Sequence, residues 1–154
     1  MRDEAARALL ERKLVLLVAY ADELRALVEP TPSGPAAVPG EPAPNVARRA
    51  TERLVQLIVE VAVDANGLLV AAADLPPPAT ARESFVAVRE RGVLPKALAE
   101  RFIASYVGLR NRVVHDYDTL DPQLVRRAAR RLVADALAYA RHVRAVVALR
   151  PGGR

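Results

Sequence analysis

Arg110, His115 and Tyr117 place a permanent cation, an imidazole and a phenol within eight residues of one another. An imidazole can take the proton of a ribose 2′-hydroxyl while a guanidinium stabilises charge building on the attacked phosphate. The trio therefore suits metal-free phosphoryl transfer on RNA. One His and one Arg near a helix terminus are more often a match to the helix dipole or a surface pair, so spacing by itself does not establish the chemistry. Geometry adds a condition. In an unbroken helix Arg110 and Tyr117 share a face, whereas His115 points about 140° away from Arg110. Convergence then requires either a break in the helix near Val114 or partner residues from a second copy across a two-fold axis.

The elements that must position this segment are helical. Leu10, Leu14, Leu17, Ala21, Leu24 and Val28 step by four and three, which predicts a helix over 2–29. Residues 30–44 hold six prolines with two glycines and a serine, and read as a loop within one domain. Asn45 is placed to cap a second helix reaching Asp74. Its two apolar faces, Leu54, Leu57, Ile58, Val61, Ala65, Leu68 and Val55, Val59, Ala62, predict a central position. Gln56, Glu60 and Asp64 draw a polar line along it. Thr80 and Glu83 match a capping box for a short third helix closed by Gly92. Pro95 suits the first turn of a fourth helix with Leu98, Phe102, Tyr106, Leu109 and Val113 inward, running straight into the Arg-His-Tyr segment. Asp121-Pro122 opens a fifth helix to Leu149, with Val125, Ala129, Leu132, Ala136, Val143 and Val147 inward. The expected fold is all-α: an antiparallel up-and-down bundle of four long helices and one short one, a single domain over 1–154.

Composition agrees and excludes several classes. The 154 residues are 52% hydrophobic and only 4% aromatic, so Leu, Val and Ala must fill the core, a balance that favours helices on helices. With no cysteine there is neither a disulfide framework nor a thiolate metal site, and His115 and His142 alone make no histidine cluster. The N-terminus lacks the pattern of an export signal, and Gln56, Glu60, Asp64 and Asn66 interrupt the best membrane-length stretch, so a cytoplasmic protein is expected. The net charge of +5 is uneven: residues 121–154 hold eight arginines against Asp121 and Asp135, which leaves residues 1–120 at minus one. On the fifth helix Arg126, Arg130, Arg141 and Arg144 form a basic stripe opposite the apolar face. With Arg112 they are the candidates for contact with a phosphate backbone.

The arrangement Arg, four residues, His, one residue, Tyr is complete here as Arg110, His115 and Tyr117, and it resembles the HepT-like branch of the HEPN proteins. The likeness runs from about Thr51 through Glu52-Arg53-Leu54-Val55, Val63-Asp64-Ala65-Asn66, Glu83-Ser84-Phe85, Gly92-Val93-Leu94-Pro95 and Val107-Gly108-Leu109-Arg110-Asn111. Leu109 stands where that family typically has an aromatic. The resemblance implies a homodimeric HEPN-like bundle with Arg110 and His115 of both copies lining an RNA-cleaving cleft, with no metal and no cofactor of its own. It further implies a toxin of a type VII-like toxin–antitoxin system. The partner would be a minimal, MntA-like nucleotidyltransferase antitoxin that uses ATP to attach AMP to Tyr117. A phosphate and a bulky nucleotide two residues from His115 would repel and block RNA.

Two supporting roles are expected. Asn111 orients the cleft or the Arg110 side chain, against the plainer role of capping a helix end. Asp64 is a candidate acidic neighbour of His115, against a solvated carboxylate. His142 reads as surface, and Tyr20, Tyr106 and Tyr139 as core or interface. The rival functional reading is a catalytically silent HEPN module serving as a binding or regulatory subunit of a nucleotidyltransferase. A purely structural bundle with a basic face is a third, and it leaves the Arg-His-Tyr motif without a purpose.

Overall fold

The computed structural model describes residues 3–29, 44–116 and 118–149. The proline-rich loop lies outside the described residues except for Pro44, and so does Tyr117. Helix α1 spans Glu4–Val28, α2 Pro44–Ala71 and α3 Ala81–Glu90. A rod of three parts follows: α4 Lys96–Arg101, a π turn Phe102–Tyr106 and α5 Val107–His115. Helix α6, Pro122–Leu149, closes the order, giving an all-α bundle as expected.

Local chemistry sets most of the boundaries. The Asp3 carboxylate accepts from the Ala5 N–H at 2.9 Å and caps α1. Helix α2 opens at Pro44, two residues earlier than a cap at Asn45 would have it, so Asn45 lies inside the first turn and is not the cap. A proline fits that place because its missing N–H would have had no helical partner. The same helix closes at Ala71 rather than Asp74, which sits in a turn with φ 57°. Thr80 caps α3 as the capping box predicts, accepting from Glu83 N–H at 3.1 Å, but the Glu83 carboxylate returns to Ala79 N–H at 2.8 Å instead of to Thr80. Gly92, with φ 69°, turns the chain out of α3 in a conformation that costs glycine little. Pro95 precedes its helix as the cap residue, and Asp121 caps α6 through Gln123 N–H at 3.0 Å.

Tertiary packing then buries the predicted stripes. All six α1 positions are buried, as are both α2 faces save the half-buried Leu57 and Leu68. Helix α2 touches α1, α3, α5 and α6, which makes it the central element. It is also long and apolar enough to cross a membrane, but half of that apolar window is buried in the bundle. The antiparallel sense is fixed by contacts at opposite chain ends: Lys13 of α1 meets Asp64 near the end of α2, and Glu11 meets Arg144 near the end of α6.

The π turn was not legible in the sequence. Leu98, Phe102 and Tyr106 step by four, and each such step drifts about 40° beyond a 3.6-residue turn. A wider turn cancels the drift and keeps Leu109 and Val113 inward, where both are buried. Four of the chain's six aromatics gather there: Phe102 stacks on Phe85 at 4.7 Å and meets Tyr106 at 5.0 Å and Tyr139 at 5.8 Å. Below them a buried polar chain ties three helices together. Tyr139 O–H donates to Asn66 Oδ1 at 2.7 Å, Asn66 Nδ2 to Ser84 Oγ at 3.1 Å, and Ser84 O–H to Ala81 C=O at 2.7 Å.

Candidate functional site

Helix α5 does not break near Val114. It continues through His115 and ends only where Asp116 leaves helical geometry at φ −125°, ψ 34°, its N–H still bonded to Arg112 C=O at 2.7 Å. Arg110 and His115 therefore sit on one continuous helix and point about 140° apart. Of the two routes to convergence, the one through a broken helix is closed. Around α5, Leu109 and Val113 are buried against the bundle, whereas Gly108, Asn111 and His115 share an exposed strip at i, i+3 and i+7. Arg110 lies between the two faces, about 60° from Val113, and is half-buried. Its Nε is shut off from solvent without a hydrogen-bond partner. A buried unpaired guanidinium N–H is costly unless something else completes it.

The rod that carries these residues is anchored by one cluster. Asp135 of α6, the buried carboxylate among the described residues, accepts from Arg101 Nε at 2.8 Å and Nη2 at 2.9 Å, and from the Tyr106 O–H at 2.6 Å. Burial pushes the Asp135 carboxyl upward, but the Arg101 and Tyr106 hydrogen bonds together outweigh it and hold it below its ordinary value. Burial and the Asp135 bond both push the Tyr106 phenol up. The cluster clamps both ends of the π turn to α6, and so fixes the rotation at which α5 presents Gly108, Asn111 and His115.

Several sequence-derived candidates are engaged elsewhere. Asp64 pairs with Lys13 Nζ at 2.6 Å. Arg130 Nε donates to the last carbonyl region of α1 at Val28 C=O, 2.8 Å. Arg144 clasps Glu11 through Nε and Nη2, the latter at 2.6 Å. The α6 stripe is thus half absorbed into holding α1, while Arg126, Arg141, His142 and Arg112 remain exposed. Tyr106 and Tyr139 are core and Tyr20 is half-buried.

One feature escaped the sequence reading. A cleft of about 640 Å³ is lined on one side by Arg48, Arg49, Glu52 and Arg53 of α2 and on the other by Val113 and Asp118, at the end of α5. Arg49 and Arg53 are like charges four apart on one helix, a destabilising pair that was visible in the sequence and could have flagged the site. Among the described residues no group of three His, Asp or Glu is placed to hold a metal ion.

Comparison with known proteins gives this geometry a family. Residues 43–143 match the Ribonuclease HepT-like family model. A tRNA nuclease HepT from Aphanizomenon flos-aquae (strain 2012/KM1/D3) is 40% identical over 75 residues, which is 49% of this chain and 50% of that protein. The chain thus spans about half the length of this curated relative in the match. Among solved structures, the cytosolic protein YutE from Bacillus subtilis superposes with a TM-score of 0.72 at 12% identity, covering 94% of both chains. A chain of a toxin–antitoxin crystallised with AMP-PNP gives 0.72 at 17% identity over 88% of this chain and 97% of its own. A chain of a mutant MntA-HpeT toxin–antitoxin gives 0.69 at 14% identity. At such identities these structures speak to the fold. The family match spans most of the chain and includes Arg110, His115 and Tyr117, and it establishes that this chain belongs to the HepT-like ribonuclease family.

Proposed function

We propose that the protein is a toxin endoribonuclease that cuts RNA, without a metal, at a cleft formed between two copies of the chain. The observation that carries this reading is that Arg110 and His115 of one chain point about 140° apart on one continuous helix. Helix α5 runs unbroken to His115, so the imidazole faces outward on the Gly108-Asn111-His115 strip while Arg110 stands to the side with a buried, unpartnered Nε. Gly108 supports the dimer. Among the described residues a Cβ there would meet nothing within 4 Å, so none of them explains a mid-helix glycine, whereas close approach of a second helix would.

In this reaction a neutral His115 accepts the 2′-hydroxyl proton. The freed 2′ oxygen attacks the adjacent phosphorus, and Arg110 stabilises the charge on the phosphoryl oxygens. The 5′ oxygen leaves and takes a proton from the protonated imidazole of the pair of histidines that the two-fold axis brings together. The products are a 2′,3′-cyclic phosphate and a 5′-hydroxyl. Asn111, on the same strip as His115, is placed to bond the phosphate or orient the imidazole. Asp64, paired with Lys13, has no part in this scheme.

The same reading assigns the chain a nucleotidyltransferase antitoxin of the MntA kind, acting in the cytoplasm, that transfers AMP from ATP to Tyr117. An added phosphodiester beside His115 repels the RNA backbone. tRNA, the substrate in the name of the Aphanizomenon flos-aquae relative, is the first RNA to test. Purified protein should cut it and leave cyclic phosphate ends, and His115→Ala and Arg110→Ala should each abolish cutting and growth arrest. Equal toxicity of both variants would overturn the assignment. With antitoxin and ATP, mass should rise in multiples of one AMP, and Tyr117→Phe should prevent it.

A further inference from the structure

Neither Arg110 nor His115 lines the cleft beside α5, yet it opens near the end of the same helix through Val113 and Asp118. Its charges are unevenly satisfied. Arg48 pairs with Glu52 at 3.0 Å. Arg53 Nη1 donates to Gln56 Oε1 at 3.0 Å, and Gln56 Nε2 donates onward to Glu60 at 2.9 Å. A neutral amide therefore orients the Arg53 guanidinium without neutralising it. Arg49 is exposed one turn earlier on the same face. Two cations four residues apart repel each other unless an anion lies between them, and a phosphate suits two guanidinium forks.

From this juxtaposition we infer that Arg49 and Arg53 form a phosphate-binding ledge that holds the backbone of the RNA strand leading into the cleavage site; this rests on the ribonuclease reading above. The wall across from them ends at Asp118, and on the α2 side the Glu52 carboxylate is paired with Arg48, so the face left for phosphates is that of Arg49 and Arg53. Val113, which lines the cleft, stands on α5 one turn from Arg110 and two residues before His115, so the cleft and the two candidate catalytic side chains share one short helix. An acidic protein surface is the other anion that such a cleft meets. The lining argues against it: among the described residues that line the cleft Val113 is the one apolar side chain, where protein interfaces bury a cluster of aromatic and aliphatic anchors.

The test is binding of end-labelled tRNA to the full-length His115→Ala protein, which leaves the RNA intact, across a salt series. Arg49→Gln and Arg53→Gln keep helix propensity at surface positions, and each should lower the slope of log K against log salt by about 0.7 to 0.9, the double variant by about 1.5. Arg82→Gln removes the same charge near Ser84. Ser84 bonds Asn66, which lies about 25 Å along α2 from Arg49. This control should leave the slope unchanged. A double variant that keeps the slope and affinity of its parent overturns the ledge and leaves the ribonuclease reading standing. So does an equal loss in Arg82→Gln, which would mean only bulk charge is sensed. A double variant that keeps tRNA binding but loses the antitoxin makes the cleft a protein-docking surface and overturns the inference too. If the protein with His115 intact does not cut tRNA and the His115→Ala parent does not bind it, the ribonuclease reading fails and the ledge fails with it.

Discussion

Removing the Asp135 carboxylate should cost far more than removing either of its partners, and the deficit should be recoverable. In Asp135→Ala the Tyr106 hydroxyl, which donates to Asp135 at 2.6 Å in a position 1% exposed, loses its acceptor where water cannot replace it. An orphaned buried hydroxyl costs about 1–3 kcal/mol, and the lost charge-assisted bond belongs at the upper end of that range. Arg101 adds little, because its side chain is 48% exposed and turns to solvent. A loss of about 3 kcal/mol corresponds to roughly 6–12 °C in Tm for a domain of this size. Tyr106→Phe leaves Asp135 its two Arg101 donors and should cost about 1.5 kcal/mol, or roughly 3–6 °C. The double variant carries no orphaned hydroxyl, so it should be no less stable than Asp135→Ala alone, a coupling of about 1–2 kcal/mol. Thermal unfolding by circular dichroism, at one protein concentration, measures all four. Strictly additive effects would refute the claim that the carboxylate and the phenol act as a unit. Asp135→Ala should also lower tRNA cleavage beyond the unfolded fraction, because the π turn that sets the rotation of α5 is released.

Gly108→Ala should stabilise the monomer by about 0.5–1 kcal/mol through helix propensity, since among the described residues nothing lies within 4 Å of the new Cβ, and Gly108→Leu should abolish the proposed dimerisation in light scattering and cleavage with it. A stable Gly108→Leu dimer with full activity would place the interface elsewhere. Stability should fall at both ends of the pH scale. The Asp135 carboxyl is held below its ordinary value in the fold, so its contribution is present above about pH 4 and is lost as pH falls through the lower folded value. Burial pushes the Tyr139 phenol up, so its contribution is present below about pH 10 and is lost as pH rises beyond it. Phenolate absorbance for Tyr106 and Tyr139 should then appear only together with loss of helical signal, and ionisation in the folded state would contradict their burial. Arg144→Gln breaks an ion pair whose side chains are 41% and 52% exposed, so the loss should stay under about 1 kcal/mol by urea denaturation. A larger loss would mean the clasp on Glu11 carries the α1 to α6 contact.

What the sequence determined by itself is local or periodic. Leu10 to Val28 buried as one stripe because a 3.6-residue period needs no knowledge of neighbours, and Thr80 and Asp121 capped their helices through bonds two or three residues long. The Arg110, His115 and Tyr117 spacing was likewise legible, and the family match spans it. Only the tertiary structure decided what depends on meeting a distant partner. Arg130 and Arg144 look like members of a solvated stripe until Val28 and Glu11, 102 and 133 residues away, engage them. The π turn packs against Asp135, Phe85 and Tyr139, none of which is local to Phe102–Tyr106. The unbroken run of α5 to His115 then separates two side chains that are five residues apart in sequence, because helix rotation, not chain distance, sets where a side chain points.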